Sequence, residues 1–235
     1  MAQNIETWFS SMGQITRLLL AYIVLSTGAV AFGALDPAYL AIYYPTLSSC
    51  IEIWRPFTSA LFFGPFSFSW IMTVLLFVTY SSNNEIRGIT NKPADFVFML
   101  FLLTLTLGFI GGFIGIPWTG HSLILALCWI HCKRNTADRI LFLGFECRSA
   151  YFPWVLVIFE FILAQSLLPN LLGVFVGHLY FFFKDILPST HNYQLLNTPV
   201  WLVNLVFRAG LGVSSGSPSP VPPRSWGRGH VLGSQ

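Results

Sequence analysis

The chain has 235 residues, of which 54% are apolar, 17% aromatic and 9% charged, with a net charge of +3. A soluble domain carries about a quarter charged residues, so this inventory cannot cover a water-facing surface; it also excludes a disordered chain, a disulfide scaffold and a nucleic-acid binder. The chain reads as an integral membrane protein in which the placement of charge matters more than its sum, and four cysteines (Cys50, Cys128, Cys132, Cys147) make no disulfide framework.

Uncharged runs set the predicted elements in chain order. The first 14 residues are polar, and residues 18–35 give 18 uncharged positions between Arg17 and Asp36, enough for one span. No small-residue cleavage site follows, so this segment reads as an uncleaved anchor. An outer loop rich in Tyr39, Tyr43, Tyr44 and Trp54 comes next; such aromatics favour the headgroup level. Residues 56–84 are 29 uncharged positions, with a second span from about Phe66 to Ser82. Residues 96–132 are 37 positions without a charge. As one helix they would run about 55 Å against a hydrocarbon core of about 30 Å, so the chain must turn back. Gly111, Gly112, Gly115 and Pro117 mark that turn. Residues 149–183 are interrupted only by Glu160, and Leu168-Pro169-Asn170 is the predicted second turn. The fold class is therefore an all-α membrane protein with six transmembrane helices. With the N-terminus cytosolic, 11 of the 12 basic residues fall on cytosolic segments and only Arg55 lies outside, which puts both termini in the cytosol.

Beyond the spans, residues 199–207 are apolar but too short to cross, which predicts a short interfacial helix. From Gly212 the composition turns to Gly, Ser and Pro, a linker unable to pack a core. The predicted organisation is a cytosolic N-terminus (1–17), a membrane domain (18–187), a juxtamembrane segment (188–211) and a disordered tail (212–235). In that tail Trp226-Gly227-Arg228-Gly229-His230-Val231-Leu232-Gly233 places two apolar side chains on a flexible chain, the pattern of a short docking peptide.

Within the spans, Gly173 and Gly177 form a G-x-x-x-G, and Gly108/Gly112 and Gly111/Gly115 repeat that spacing; all read as close helix packing. Trp54-Arg55 holds the one outer cation, which can stack, bind headgroup phosphate or simply anchor the loop. Glu160 is an ionisable group in mid-span, a functional candidate by default, and Gln165, Ser166, Glu160 or His178 would line a hydrophilic cavity. Cys128, His131 and Cys132 share a helical face with no evident fourth ligand, so no metal is expected. Ser122, in Gly120-His121-Ser122-Leu123, and His178 two spans later are the residue types of a rhomboid-type Ser-His dyad.

Taken together, IWRPFTS at 53–59, KPADFVFML at 92–100, YFPWVLVIFEFIL at 151–163, LLGVFVGHLYFF at 171–182, NTP at 197–199 and the terminal WGRGHVLG resemble the derlin family over nearly the whole chain. Derlins are rhomboid-like pseudoproteases of the endoplasmic reticulum membrane. The resemblance implies a rhomboid-like fold with six transmembrane helices and a role in retrotranslocating misfolded lumenal and membrane proteins for ubiquitin–proteasome degradation. It implies that Trp54 and Arg55 meet substrate or membrane, and that Gly173 and Gly177 pack helices. It further implies that Trp226, Gly227, Gly229 and Leu232 recruit the AAA ATPase valosin-containing protein. Other implied partners are a membrane ubiquitin ligase complex, misfolded clients, lipid, and further copies of derlins; no cofactor is implied.

The departure is that Ser122 and His178 occupy what read as the protease positions. Leu123 stands where a protease needs glycine, and residues 68–80 contain neither His nor Asn as oxyanion donor. Losing one such donor costs about 10²–10³ in rate, so Ser122 reads as a packing residue. An active intramembrane serine protease and a non-catalytic trafficking adaptor remain the alternatives.

Overall fold

The computed structural model describes residues 9, 11–42, 52, 54–87, 93–142, 144–162, 166–191 and 196–211. The expectations for Cys50, Gln165 and the tail residues Trp226, Gly227, Gly229 and Leu232 lie outside them. Along the described residues run α1 (Gln14–Ala31), a short α2 (Arg55–Ala60), α3 (Phe68–Ile86), α4 (Pro93–Ile114) and α5 (Gly120–Arg134). After them come strands β1 (Arg139–Phe142) and β2 (Phe145–Arg148), then α6 (Phe152–Ile162) and α7 (Leu167–Phe181). A π turn, Phe182–Ile186, carries α7 into α8 (Leu187–His191), and α9 (Val200–Arg208) follows. Three helical stretches, Gln14–Ala31, Pro93–Ile114 and Leu167–Thr190, are long and apolar enough to cross a bilayer. The chain is a helical, multi-pass membrane protein.

The core forms around α5, where 12 of 15 residues are buried. A helix that is apolar on all sides belongs in the middle of a bundle, and α3, α4, α6 and α7 surround it. Outward faces of the surrounding helices carry exposed Leu25, Ile71, Phe109, Phe113 and Phe175, as a lipid-facing surface should. Two polar side chains inside the bundle bond across to neighbouring helices. Asn84 of α3 donates to Leu127 O of α5 at 3.0 Å, and Trp70 Nε1 donates to Thr27 Oγ1 of α1 at 3.2 Å. Such bonds hold helices together where lipid gives no hydrophobic drive.

Glu85, at the end of α3, caps α1. Gly13 offers no side chain, so the first N–H groups of α1 need an outside acceptor. The Glu85 carboxylate accepts from the N–H of Ile15 and of Thr16, both at 2.9 Å, and from Thr16 Oγ1 at 2.7 Å. A Cβ on Gly13 would collide with that carboxylate.

One expectation is corrected. The second turn does not fall at Leu168-Pro169-Asn170, because those residues already lie in the first turn of α7. Proline is tolerated there since a helix's first N–H groups have no intrahelical acceptor. The fold is helical as expected, with one short exception. Between α5 and α6 the chain forms an antiparallel hairpin with Arg139 opposite Arg148 and Ile140 opposite Cys147. Gly144 turns it at φ +88°, a conformation that suits glycine. The first turn of the third run falls where expected, with Gly115 at φ +81°. The apolar stretch at 199–207 does form a helix, α9, whose Leu202 and Val206 pack on Ala94 while Val200, Trp201 and Phe207 stay exposed. Its start is tied down by Thr198, which donates to Asp95 at the head of α4.

Candidate functional site

Helices α5 and α7 run parallel and in close contact. A Cβ added at Gly173 would sit 2.8 Å from Ser122 Cα, and one at Gly177 would sit 2.9 Å from Ala126 Cα. One further step along, His178 stacks edge-on against Trp129, with ring centroids 5.8 Å apart at 84°. At the far end Arg134 forks onto Asp185 at 3.1 and 3.0 Å, a pair with side chains only 13% and 10% exposed. At Gly173 and Gly177 the two helices meet backbone against backbone. Gly108 and Gly111 of α4 leave little room for a Cβ either, the first against the Pro56 ring and the second against the Thr119 methyl.

This parallel register separates the two residues of the supposed dyad. Ser122 Oγ donates to Pro169 O at 2.6 Å, and Ser122 is fully buried. His178 is exposed and lies beside Trp129, two helical turns or about 10 Å along α5 from Ser122. The α7 residues level with Ser122 are Pro169 and Gly173. His178 lies beyond them because two parallel helices carry equal sequence steps forward together, so the assignment of His178 to the protease position is corrected. A nucleophilic serine needs a base within hydrogen-bond reach. A fluorophosphonate probe for activated serines is expected to leave Ser122 unlabelled. Ser122→Ala should lower thermal stability by about 1 kcal/mol, the net worth of one buried hydrogen bond; a labelled Ser122 would contradict the packing role.

Near the starts of α5 and α7 lies a cavity of about 690 Å³. The end of α1, the segment around Phe62 and Phe63, the turn from Ile114 to Trp118, His121, and Ser166 to Asn170 all contribute to its wall. The sequence predicted a hydrophilic cavity involving Gln165, Ser166, Glu160 or His178. Ser166 is in the wall, but Glu160 and His178 are not, and most of the wall is aromatic or aliphatic. Glu160 is instead 8% exposed and sits within electrostatic reach of the Asn170 amide. Neither Glu160 Oε2 nor Asn170 Nδ2 completes a hydrogen bond among the described residues.

Trp54 and Arg55 part company. Trp54 is 55% exposed, whereas Arg55 is 8% exposed. The Arg55 guanidinium pairs with Glu52 and donates to Ala38 O at 3.2 Å and Ala41 O at 2.7 Å. Its buried fork pins the outer loop to α2, a use that leaves little of it for a headgroup phosphate. Cys128 and Cys132 bring their sulfurs to 3.8 Å, and His131 turns to Tyr80 at 5.8 Å between rings. Among the described residues no group of three His, Cys, Asp or Glu side chains is placed to hold a metal.

Residues 12–200 match the Der1-like family. The chain belongs to the Der1-like family. It is 34% identical to Derlin-1 of Drosophila melanogaster over 96% of this chain and 97% of that protein. Derlin-1.1 of Zea mays is 30% identical over 92% of this chain and 90% of its own length, and Derlin-1 of Oryza sativa subsp. japonica 28% over 96% and 95%. The match covers the whole helical bundle of this Der1-like chain and ends where α9 begins, at Val200.

Sequence reasoning missed three contributors to this Der1-like bundle. Asn170 read only as a turn residue, yet it lines the cavity at 1% exposure. Its burial next to a Pro in a span was the available signal. Glu85 and the Arg134–Asp185 pair carried no expectation from the sequence; the first caps α1 and the second ties α5 to the end of α7, both through partly buried bonds. A carboxylate and a cation that both fall at predicted span ends, on the same side, were the clue to the second pair.

Proposed function

We infer that the chain is a non-catalytic factor of the endoplasmic reticulum membrane that helps misfolded proteins back to the cytosol for ubiquitin-dependent degradation. In this reading six spans place both termini in the cytosol, residues 18–187 form the membrane domain and 188–211 lie along the interface. The tail recruits the AAA ATPase valosin-containing protein through Trp226, Gly227, Gly229 and Leu232. A membrane ubiquitin ligase complex receives the client, and further derlin copies join the assembly.

One observation carries most of the argument. Helix α5 has 15 residues and α6 has 11, which correspond to about 22 Å and 16 Å of rise. An average hydrocarbon core is about 30 Å thick, and a short span thins the bilayer around it. A thinner core lowers the cost of carrying polar backbone across. The separation of Ser122 from His178 leaves a protease without its base, which favours this reading over the catalytic one.

No nucleotide-binding loop occurs in the sequence, so the pulling force has to come from the recruited ATPase. The deciding experiment is affinity capture from solubilised membranes of a Trp226→Ala/Leu232→Ala double variant. A short docking peptide binds with micromolar affinity, and loss of both apolar anchors is expected to reduce ATPase recovery at least tenfold while membrane insertion and client binding persist. Undiminished recovery would remove the motor from this mechanism. Undiminished client degradation with recovery lost would favour the trafficking adaptor.

A further inference from the structure

The cavity beside the starts of α5 and α7 is walled in part by apolar residues that are themselves exposed. Ile114, at the end of α4, and Leu168, in the first turn of α7, both line it and are 52% and 62% exposed. These side chains are within reach of an acyl chain lying against the helix surface. Its volume of about 690 Å³ falls within the range of about 300–1,000 Å³ typical of ligand sites. Phe62, Phe63 and Trp118 supply an apolar wall.

The polar groups at the site are hydrogen-bond donors. Asn170 Nδ2 lacks a partner among the described residues although Asn170 is 99% buried, being 1% exposed. A buried amide left unpaired costs about 1–3 kcal/mol, so an acceptor arriving there is favoured. Helices α5 and α7 both begin without a side-chain cap. Thr119, placed to cap α5, bonds Ser59 Oγ at 3.2 Å instead. The starts of both helices thus present N–H groups and a positive partial charge. Among the described residues no Lys or Arg lines the cavity, so a neutral carbonyl fits better there than a phosphate.

We propose that this cavity binds a phospholipid from the adjoining leaflet, with one acyl chain along the aromatic wall and an ester carbonyl accepting from Asn170. The proposal rests on the bilayer-thinning reading and deepens it. A lipid held by its ester at the first turn of α7 is drawn below its neighbours, at the point where the short helices begin. The thinning would then be built into a specific site, not left to average mismatch along the bundle.

The test uses the purified full chain in phosphatidylcholine nanodiscs carrying a trace of phosphatidylcholine with a photoactivatable diazirine in its acyl chain. Crosslinks are mapped by mass spectrometry. Labelling of residues 62–65 and 114–121 is expected to exceed that of the lipid-facing Phe109 on α4 at least fivefold. Asn170→Leu should lower it about fivefold, the factor that one hydrogen bond supplies. Leu168→Trp, at an exposed position, should block the mouth and lower it similarly without touching the core, so the test survives if Asn170→Leu fails to fold. Labelling no stronger than at Phe109, or unmoved by Leu168→Trp, would overturn the proposal. So would displacement of the label by an equimolar unfolded apolar peptide, which would make the cavity a polypeptide site. The nanodiscs contain neither ATPase nor client, so this result stands apart from the tail experiment.

Discussion

Gly173→Leu and Gly177→Leu are expected to be among the most damaging single substitutions in the chain. A Cβ at Gly173 would lie 2.8 Å from Ser122 Cα and 2.9 Å from its carbonyl carbon; at Gly177 it would lie 2.9 Å from Ala126 Cα. These obstacles are backbone atoms of the most buried helix, which cannot rotate away as a side chain can. Relief requires α7 to move off α5, which also breaks the Ser122 bond to Pro169 and the Arg134–Asp185 pair. Overpacking costs about 1–3 kcal/mol in cores that can adjust, and here the neighbours cannot, so about 3 kcal/mol is the floor. Against a total stability of about 5–15 kcal/mol, that is a large fraction. Gly28→Ala supplies the contrast. Gly28 lies in α1 with nothing within 4 Å of its added Cβ, and Ala is the better helix former by up to about 1 kcal/mol. Thermal unfolding in detergent should therefore fall sharply for the α7 variants and hold or rise for Gly28→Ala. Wild-type unfolding of Gly173→Leu would mean that the two helices are not packed backbone to backbone.

The legible parts of this fold are those set by the bilayer. Charge-free runs located the long helices because a charge in hydrocarbon is costly, and the turn at Gly115 was marked by a residue suited to a positive φ. The failures have physical causes as specific as the successes. Leu168-Pro169-Asn170 looked like a turn because proline reads as a breaker, yet a helix's first turn accepts it. The hairpin between α5 and α6 escaped because strands of four residues give too short an alternation to separate from loop. His178 was matched to Ser122 by residue type alone, and no sequence pattern reports that α5 and α7 run in parallel register. The cavity was expected to be polar because Glu160 and His178 were assumed to face it. In the structure the first turns towards Asn170 and the second towards Trp129.

Arg55, for which the sequence left stacking, headgroup binding and loop anchoring open, makes anchoring contacts in the structure. The bonds it makes come from carbonyls at Ala38 and Ala41, 17 and 14 residues earlier, which no local motif announces. Its side chain is 10% exposed and that of its partner Glu52 is 22% exposed. Breaking a buried ion pair from one side leaves a carboxylate with nothing to offset its desolvation and typically costs about 3–5 kcal/mol. The partial exposure of Glu52 puts the expectation for Arg55→Ala at the lower end, about 3 kcal/mol, and two carbonyls lose their donor as well. Arg55→Lys should recover only part of this, because an ammonium lacks the planar fork that reaches a carboxylate and two carbonyls together. Trp54→Ala, at 55% exposure, should change stability by no more than about 0.5 kcal/mol. The ordering Arg55→Ala below Arg55→Lys below Trp54→Ala should appear in unfolding midpoints and again in steady-state abundance, where a loss of this size reduces folded protein several-fold. Should Arg55→Ala keep wild-type abundance and stability yet impair client degradation, the guanidinium acts outside the fold after all. The pinning of the outer loop by Glu52, Ala38 and Ala41 would then be incidental.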